Sequence, residues 1–152
     1  CGTTAVDDLR ERLHPLPPRQ PIPLDVLAAV PETVAGQAPL FDETGAVHAA
    51  VSFDRAGAPV LAREDIGRHN AVDKVVGRML LDGALPAEDQ GLYVSGRASF
   101  EIVQKAWAAG FGTVVAVSAP SSLAVDAARL AGMTLCGFAR GGRLNVYAGL
   151  AG

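Results

Sequence analysis

Four short stretches of this sequence are rich in residues that grip anions: IGRHN at 66–70, SGRAS at 95–99, SAPSS at 118–122 and RGGR at 140–143. Together they hold Arg68, Arg97, Arg140 and Arg143, glycines at 67, 96, 141 and 142, and serines at 95, 99, 118, 121 and 122. A guanidinium presents a planar fork that meets a phosphate or carboxylate at two points. Glycine lets backbone N–H groups approach oxygens with no side chain in the way. The chemistry open to such residues is the cradling of a polyanion, provided that the fold brings the four stretches together. The densest stretch is EDIGRHNAVDK at 64–74, where Glu64, Asp65, Arg68, His69, Asp73 and Lys74 all carry or could carry charge.

The elements around these stretches do bring them together. AVHAAVSFD and PVLARED read as two strands joined by the short turn RAGA. AVDKVVGRMLLDG, with Val72, Val75, Val76, Met79 and Leu80 on one face, reads as a helix. LYVS, TVVAVS and TLCGFA read as buried strands, SFEIVQKAWAAG and SSLAVDAARLAG as the helices between them, and RLNVYA as a further strand. The three helices end at Gly83, Gly110 and Gly132, where a left-handed residue can close each one. Repeated helix–strand units imply an α/β fold, a three-layer α/β/α sandwich whose mixed sheet is mostly parallel with one antiparallel hairpin strand. In such a sheet ligands bind beyond the carboxyl ends of the parallel strands. Each of the four stretches follows a strand, and three of them lead into helix N-termini, which favour anions.

Further upstream, HPLPPRQPIP at 14–23 holds five prolines and reads as an extended connector. It divides a head and connector, 1–23, from a binding domain, 24–152. Within the latter, PLDVLAAVPETVAGQ reads as a helix interrupted at Pro31.

Each feature also has a plainer reading. Ser99 and Ser121 are good helix caps. His48 fits a packed strand histidine, and His69 a hydrogen-bonding loop residue. Asp73 and Lys74 fit a solvated face, and Cys136 a small buried apolar residue. The weight lies on the coincidence of four such loops at one sheet edge. Zinc-deaminase chemistry suits this element order, but the sequence holds no C-x-x-C and reads HAA at 48–50, where a ligand followed by x-E is needed.

With 152 residues, 49% apolar and 19% charged, the chain can build one core. Its net charge of −3 argues against bulk nucleic-acid binding. Of thirteen basic residues only Lys74 and Lys105 are lysines, which suits phosphate grip and equally a codon bias toward arginine. No apolar run approaches eighteen residues, so no membrane span is expected. Two cysteines at opposite ends, Cys1 and Cys136, make neither a disulfide framework nor a metal spacing, and a reducing, cytoplasmic setting is expected. The opening CGTT, without Met, points to processing or to a piece of a longer protein.

TGAVHAA, EDIGRHNAVDKVVG, SGRASFEIVQKA, SAPSSLA and GFARGGRLNVYAG, in that order, closely resemble the formate dehydrogenase accessory sulfurtransferases, the FdhD family. The resemblance implies a cytidine-deaminase-like fold without the zinc. It implies a carrier that takes sulfur as a persulfide from a cysteine desulfurase. The sulfur goes to the molybdenum of bis(molybdopterin guanine dinucleotide), for insertion into formate dehydrogenase. That cofactor is bound as substrate, and a guanine nucleotide would mimic it. The family's cofactor-binding segment falls on Phe138, Ala139, Arg140, Gly141, Gly142 and Arg143. Loop geometry adds Arg68, His69, Asn70, Ser95, Gly96, Arg97 and Ser118. The family's CGxCG motif, whose first cysteine bears the persulfide, falls on CGTTAVDDL, so the resemblance makes either Cys1 or a cysteine just upstream of it the candidate sulfur carrier. Cys1 matches the second cysteine if VDDL stays in register, with the first just upstream; otherwise it matches the first, with Thr4 in place of the second. Thr44-Gly45-Ala46 stands where the family has TGG. The resemblance further implies a C-terminal portion lacking the family's β-rich N-terminal part, and a homodimer. A non-catalytic guanine-nucleotide or cofactor-binding module is the alternative.

Overall fold

The structure is a computed structural model that describes residues 7–8 and 11–149. Cys1 lies outside the described residues. The elements are α1 (Leu24–Thr33), α2 (Pro39–Thr44), β1 (His48–Phe53), β2 (Pro59–Asp65), α3 (Arg68–Leu81), β3 (Gly91–Val94), α4 (Phe100–Ala109), β4 (Thr113–Ala116), α5 (Ser122–Ala131), β5 (Thr134–Arg140) and β6 (Arg143–Ala148).

The six strands form one mixed sheet in the order β2-β1-β3-β4-β5-β6. β3, β4 and β5 are parallel, and β1 runs antiparallel to both β2 and β3, as the sequence predicts. A second antiparallel strand, β6, folds back on β5. Its turn is Gly141-Gly142, both at positive φ, the conformation a two-residue hairpin loop demands.

Alternation along the strands assigns the two faces. Leu92, Val94, Val114, Ala116 and Leu135 meet Val72, Val75, Ile102, Val103, Trp107 and the alanines of α5. Val51, Phe53, Tyr93, Val115 and Cys136 meet Leu27 and Val30 of α1. The α/β/α sandwich therefore has α3, α4 and α5 on one side and α1 on the other. Each valine, leucine or isoleucine buried in these layers contributes about 1.5–3 kcal/mol by leaving water.

One local expectation needs correction. α1 is not interrupted at Pro31 but continues to Thr33. Pro31 falls in the last turn, where its missing N–H removes one bond, and burial of Leu27 and Val30 holds the helix against the sheet. The helix ends follow the expectation: Gly110 and Gly132 close α4 and α5 in the left-handed conformation, and Gly83, at φ +69°, follows the Asp82 cap of α3, its N–H donating to Leu80 O (3.2 Å) and that of Ala84 to Met79 O (2.8 Å). The short helix α2 was not anticipated.

Candidate functional site

Because β1 is antiparallel to β2 and β3, strands β2, β3, β4 and β5 all end on the same side of the sheet. The loops after them therefore share one mouth. Their backbones are tied to one another in series. The N–H of Ser118 donates to Gly96 O (3.4 Å), that of Ser121 to Ala98 O (3.1 Å), and that of Phe138 to Ser118 O (3.3 Å). Ala98 and Pro120 pair as a bridge. On the other side His69 Nε2 lies 3.1 Å from Ser99 Oγ. The four stretches form one continuous rim, 67–70, 95–99, 118–122 and 138–143.

The EDIGRHNAVDK stretch divides into two sets of residues. Asp65 is structural: it pairs with Lys74 at 2.8 Å and accepts from the N–H of Gly67 (3.0 Å) and from Asn70 Nδ2 (3.3 Å). The Lys74 ammonium above all, then the Gly67 N–H, hold its carboxyl down at about 2. Lys74 also donates to Glu64 O, and Asp73 pairs with Lys105 of α4 at 2.7 Å. These contacts shape the turn, whereas Arg68, His69 and Asn70 line a cavity of about 280 Å³ with Gly67. The Arg68 Nε is buried without a hydrogen-bond partner among the described residues.

The helices at this end differ in their caps. Ser99 Oγ accepts from Ile102 N (3.3 Å) and Ser121 Oγ from Ala124 N (3.1 Å), so α4 and α5 are capped. The start of α3 at Gly67 has no side-chain cap and opens beside the same cavity. Uncapped N–H groups and the positive end of the helix dipole both favour an anion there.

The side chains of Arg97, Arg140 and Arg143 are exposed at the rim and make no ion pair or hydrogen bond among the described residues. Phe138 stands beside them, half exposed, at φ +54°, where a residue with a Cβ is strained by about 1 kcal/mol. Ser95, by contrast, is buried, and its Oγ accepts from the N–H of Ala49 (2.9 Å). Ala139 is buried in the α1-side core, while Gly141 and Gly142 are exposed at the hairpin tip. Ser118 is half-buried and meets Gly96 and Phe138 through its backbone.

Sequence reading missed His48 as a neighbour of this site. It begins β1, and because that strand runs antiparallel its first residue lies at the mouth. A Cβ on Gly96 would stand 3.2 Å from His48 Nδ1 and 3.7 Å from Arg68 Cδ, so the absent side chain lets His48 close against this loop without shifting. The strand direction, legible in the hairpin, was the signal. Of the two cysteines only Cys136 is described, and burial pushes its thiol up to about 12.

The sequence matches the FdhD/NarQ family over residues 1–151. The chain belongs to that family. FdhD/NarQ relatives include the sulfur carrier protein FdhD of Anaeromyxobacter dehalogenans strain 2CP-C, 58% identical over 154 residues, covering 97% of this chain and 54% of the relative. The sulfur carrier protein FdhD of Nocardia farcinica is 53% identical over 151 residues, covering 98% and 54%. A crystal structure from Desulfotalea psychrophila, described as that of a formate dehydrogenase accessory protein, superposes with a TM-score of 0.77 at 31% identity, over 88% of this chain and 59% of that one. The chain spans about half the length of the curated FdhD relatives it matches. Among the described residues no helix is long and apolar enough to cross a membrane.

Proposed function

We propose that this chain is the cofactor-holding part of a sulfur carrier. The mouth holds the guanine-nucleotide ends of bis(molybdopterin guanine dinucleotide), while a cysteine of the CGTT segment carries the sulfur. The observation behind the reading is the convergence of Arg97, Arg140 and Arg143, without acidic partners among the described residues, with exposed Phe138 and the uncapped start of α3. Pyrophosphate needs the first and third features; a purine ring finds a stacking face on the second. The names of the relatives support the sulfur half of the reading.

In this account a cysteine desulfurase hands its persulfide sulfur to Cys1. The thiolate of Cys1 attacks the terminal sulfur, the S–S bond of the donor breaks, and the donor thiol leaves. The terminal sulfur of the Cys1 persulfide would then be the group passed to the cofactor held at the mouth: its S–S bond breaks, Cys1 leaves as a thiolate, and a reduced cofactor supplies the two electrons that turn the sulfur into sulfide. The loaded cofactor goes to the catalytic subunit of formate dehydrogenase, in the cytoplasm, from a homodimer.

One observation favours a second reading, a binding module without sulfur chemistry. Cys136, the described cysteine, is fully buried, and a thiol held near 12 supplies almost no thiolate. Incubation with a desulfurase and cysteine separates the two. The sulfur carrier gains one sulfur on intact mass and loses that gain in Cys1→Ala; the binding module gains none in either form.

A further inference from the structure

At the end of the sheet opposite the mouth, the proline-rich residues cross from one face to the other. Leu13 and Leu16 pack on the core beneath α3, α4 and α5, whereas Ile22 is buried beneath α1. Hydrogen bonds fix the crossing at intervals. The indole N–H of Trp107 donates to His14 O (2.8 Å), and the N–H of Leu16 to Ala131 O (2.9 Å). Arg19 donates to the carbonyls of Gly112 and Gly132. Arg55, in the β1–β2 turn, donates to Gln20 O (2.8 Å) and Pro21 O (3.2 Å). Beneath the crossing lies a cavity of about 470 Å³. That volume falls within the range of small-molecule sites, roughly 300–1,000 Å³. The anchors, with φ fixed by ring closure at Pro17, Pro18 and Pro21, keep the segment from sinking into the space.

The wall of this cavity carries one sign of charge. Arg19 and Arg129 line it, and no carboxylate does. Both Arg19 bonds use Nη2, and Arg129 makes one long bond, to Tyr147 O (3.4 Å). The other N–H groups of both forks have no acceptor among the described residues. Burial above all, then the neighbouring Arg55 charge, lowers the pKa of Arg19, as expected of a cation with no carboxylate beside it. Glu88 and Asp89 line a separate cavity of about 100 Å³ that shares Leu16, Pro17, Pro18 and Arg19, and neither acid pairs with Arg19. The C-terminal ends of α4 and α5 point here and bring about half a negative charge each. Two guanidiniums outweigh them, and Arg55 adds to the positive side. The rest of the wall is chiefly apolar, from Leu16, Met133 and the prolines.

We propose that this cavity is a second ligand site, which takes a small organic anion: one acidic head group on an apolar body. The forks of Arg19 and Arg129 receive the head group, and Leu16, Met133 and the prolines cover the body. Thr134 is the one neutral polar side chain in the wall. The cavity therefore has little with which to read a sugar or a base, which sets its ligand apart from the guanine nucleotide of the mouth. It stands at the start of β5, whose other end is Arg140. The inference rests on neither Cys1 nor the guanine-nucleotide reading.

The test is a titration with anilinonaphthalenesulfonate, a sulfonate on an aromatic body, followed by amide NMR spectra of the protein. Glycine amides report on both ends of the sheet: Gly132 and Gly149 line the cavity, whereas Gly96, Gly141 and Gly142 lie at the mouth. The Gly132 and Gly149 signals are expected to move along one saturable curve. Arg129 is exposed, so Arg129→Glu should leave the fold intact, which the signals remote from the cavity verify. That substitution should weaken the curve by about tenfold or more, the scale of one lost charge-assisted hydrogen bond. Arg97→Ala, at the mouth, should leave the curve unchanged. The proposal is overturned if Gly132 and Gly149 do not move, if they move equally in Arg129→Glu, or if movement is confined to the mouth glycines. The readout needs neither sulfur loading nor GDP, so its failure is distinct from failure of the proposed function.

Discussion

His69 and Ser99 meet across the rim, Nε2 to Oγ at 3.1 Å, while the same Oγ accepts the N–H of Ile102 at 3.3 Å. One hydroxyl thus caps α4 and fastens the 67–70 loop to the 95–99 loop. Ser121 caps α5 in the same way but bonds no other side chain among the described residues. Ser99→Ala and Ser121→Ala should each lower stability by about 1 kcal/mol, the usual cost of a lost cap. Only Ser99→Ala should also weaken guanine-nucleotide binding. Denaturant unfolding beside a nucleotide titration reads both, and equal binding by the two variants would contradict a binding role for His69.

Asp65 gives the rim a pH dependence. Its carboxyl is held at about 2, against an ordinary 3.8. A depressed carboxyl contributes stability above its unfolded value and loses it as the pH falls through the folded one. The contribution of Asp65 should therefore be complete above about pH 4 and disappear toward pH 2. Asp65→Asn should flatten the acid limb of the stability curve in that window and leave the curve above pH 5 parallel to wild type. Acid unfolding followed by circular dichroism tests this; identical acid limbs would show that the Lys74 and Gly67 contacts do not hold the charge.

The fold was legible where pattern and period were strong. The β2 segment PVLARED and the β6 segment RLNVYA have the predicted boundaries, and Ser99 and Ser121 cap the helices that follow them. The shared mouth followed from strand direction alone. What the sequence concealed depended on long-range contacts. Pro31 reads as a break because the sheet that holds α1 in place is remote in sequence. His48 reads as a strand residue because its neighbours, Gly96 and Arg68, are 48 and 20 positions away. The proline-rich connector was readable as extended, but its anchors, Trp107, Gly112 and Gly132, come from the far half of the chain.

Cys136 should take no part in sulfur chemistry. Its thiol is buried between the sheet and α1 and is pushed up to about 12 by desolvation. Cys136→Ala should cost about 1 kcal/mol of stability, in line with small deletions in a packed core. It should leave persulfide loading of Cys1 unchanged on intact mass, and the native Cys136 thiol should resist alkylation until the protein unfolds. Rapid alkylation of Cys136 in the native state would show that this side of the sheet opens.

The central claim is that four loops at the carboxyl end of the sheet form one polyanion-binding mouth. Calorimetric titration of GDP onto the wild-type chain, Arg97→Ala and Arg143→Ala tests it most directly. The two arginines lie on different loops, are exposed, and make no side-chain hydrogen bond or ion pair among the described residues, so neither change should disturb the fold. The account predicts that the wild type binds GDP and that each substitution weakens binding by about 1.5–3 kcal/mol, the range for hydrogen bonds to charged groups. GDP binding that neither substitution weakens, or no binding by the wild type, would contradict it.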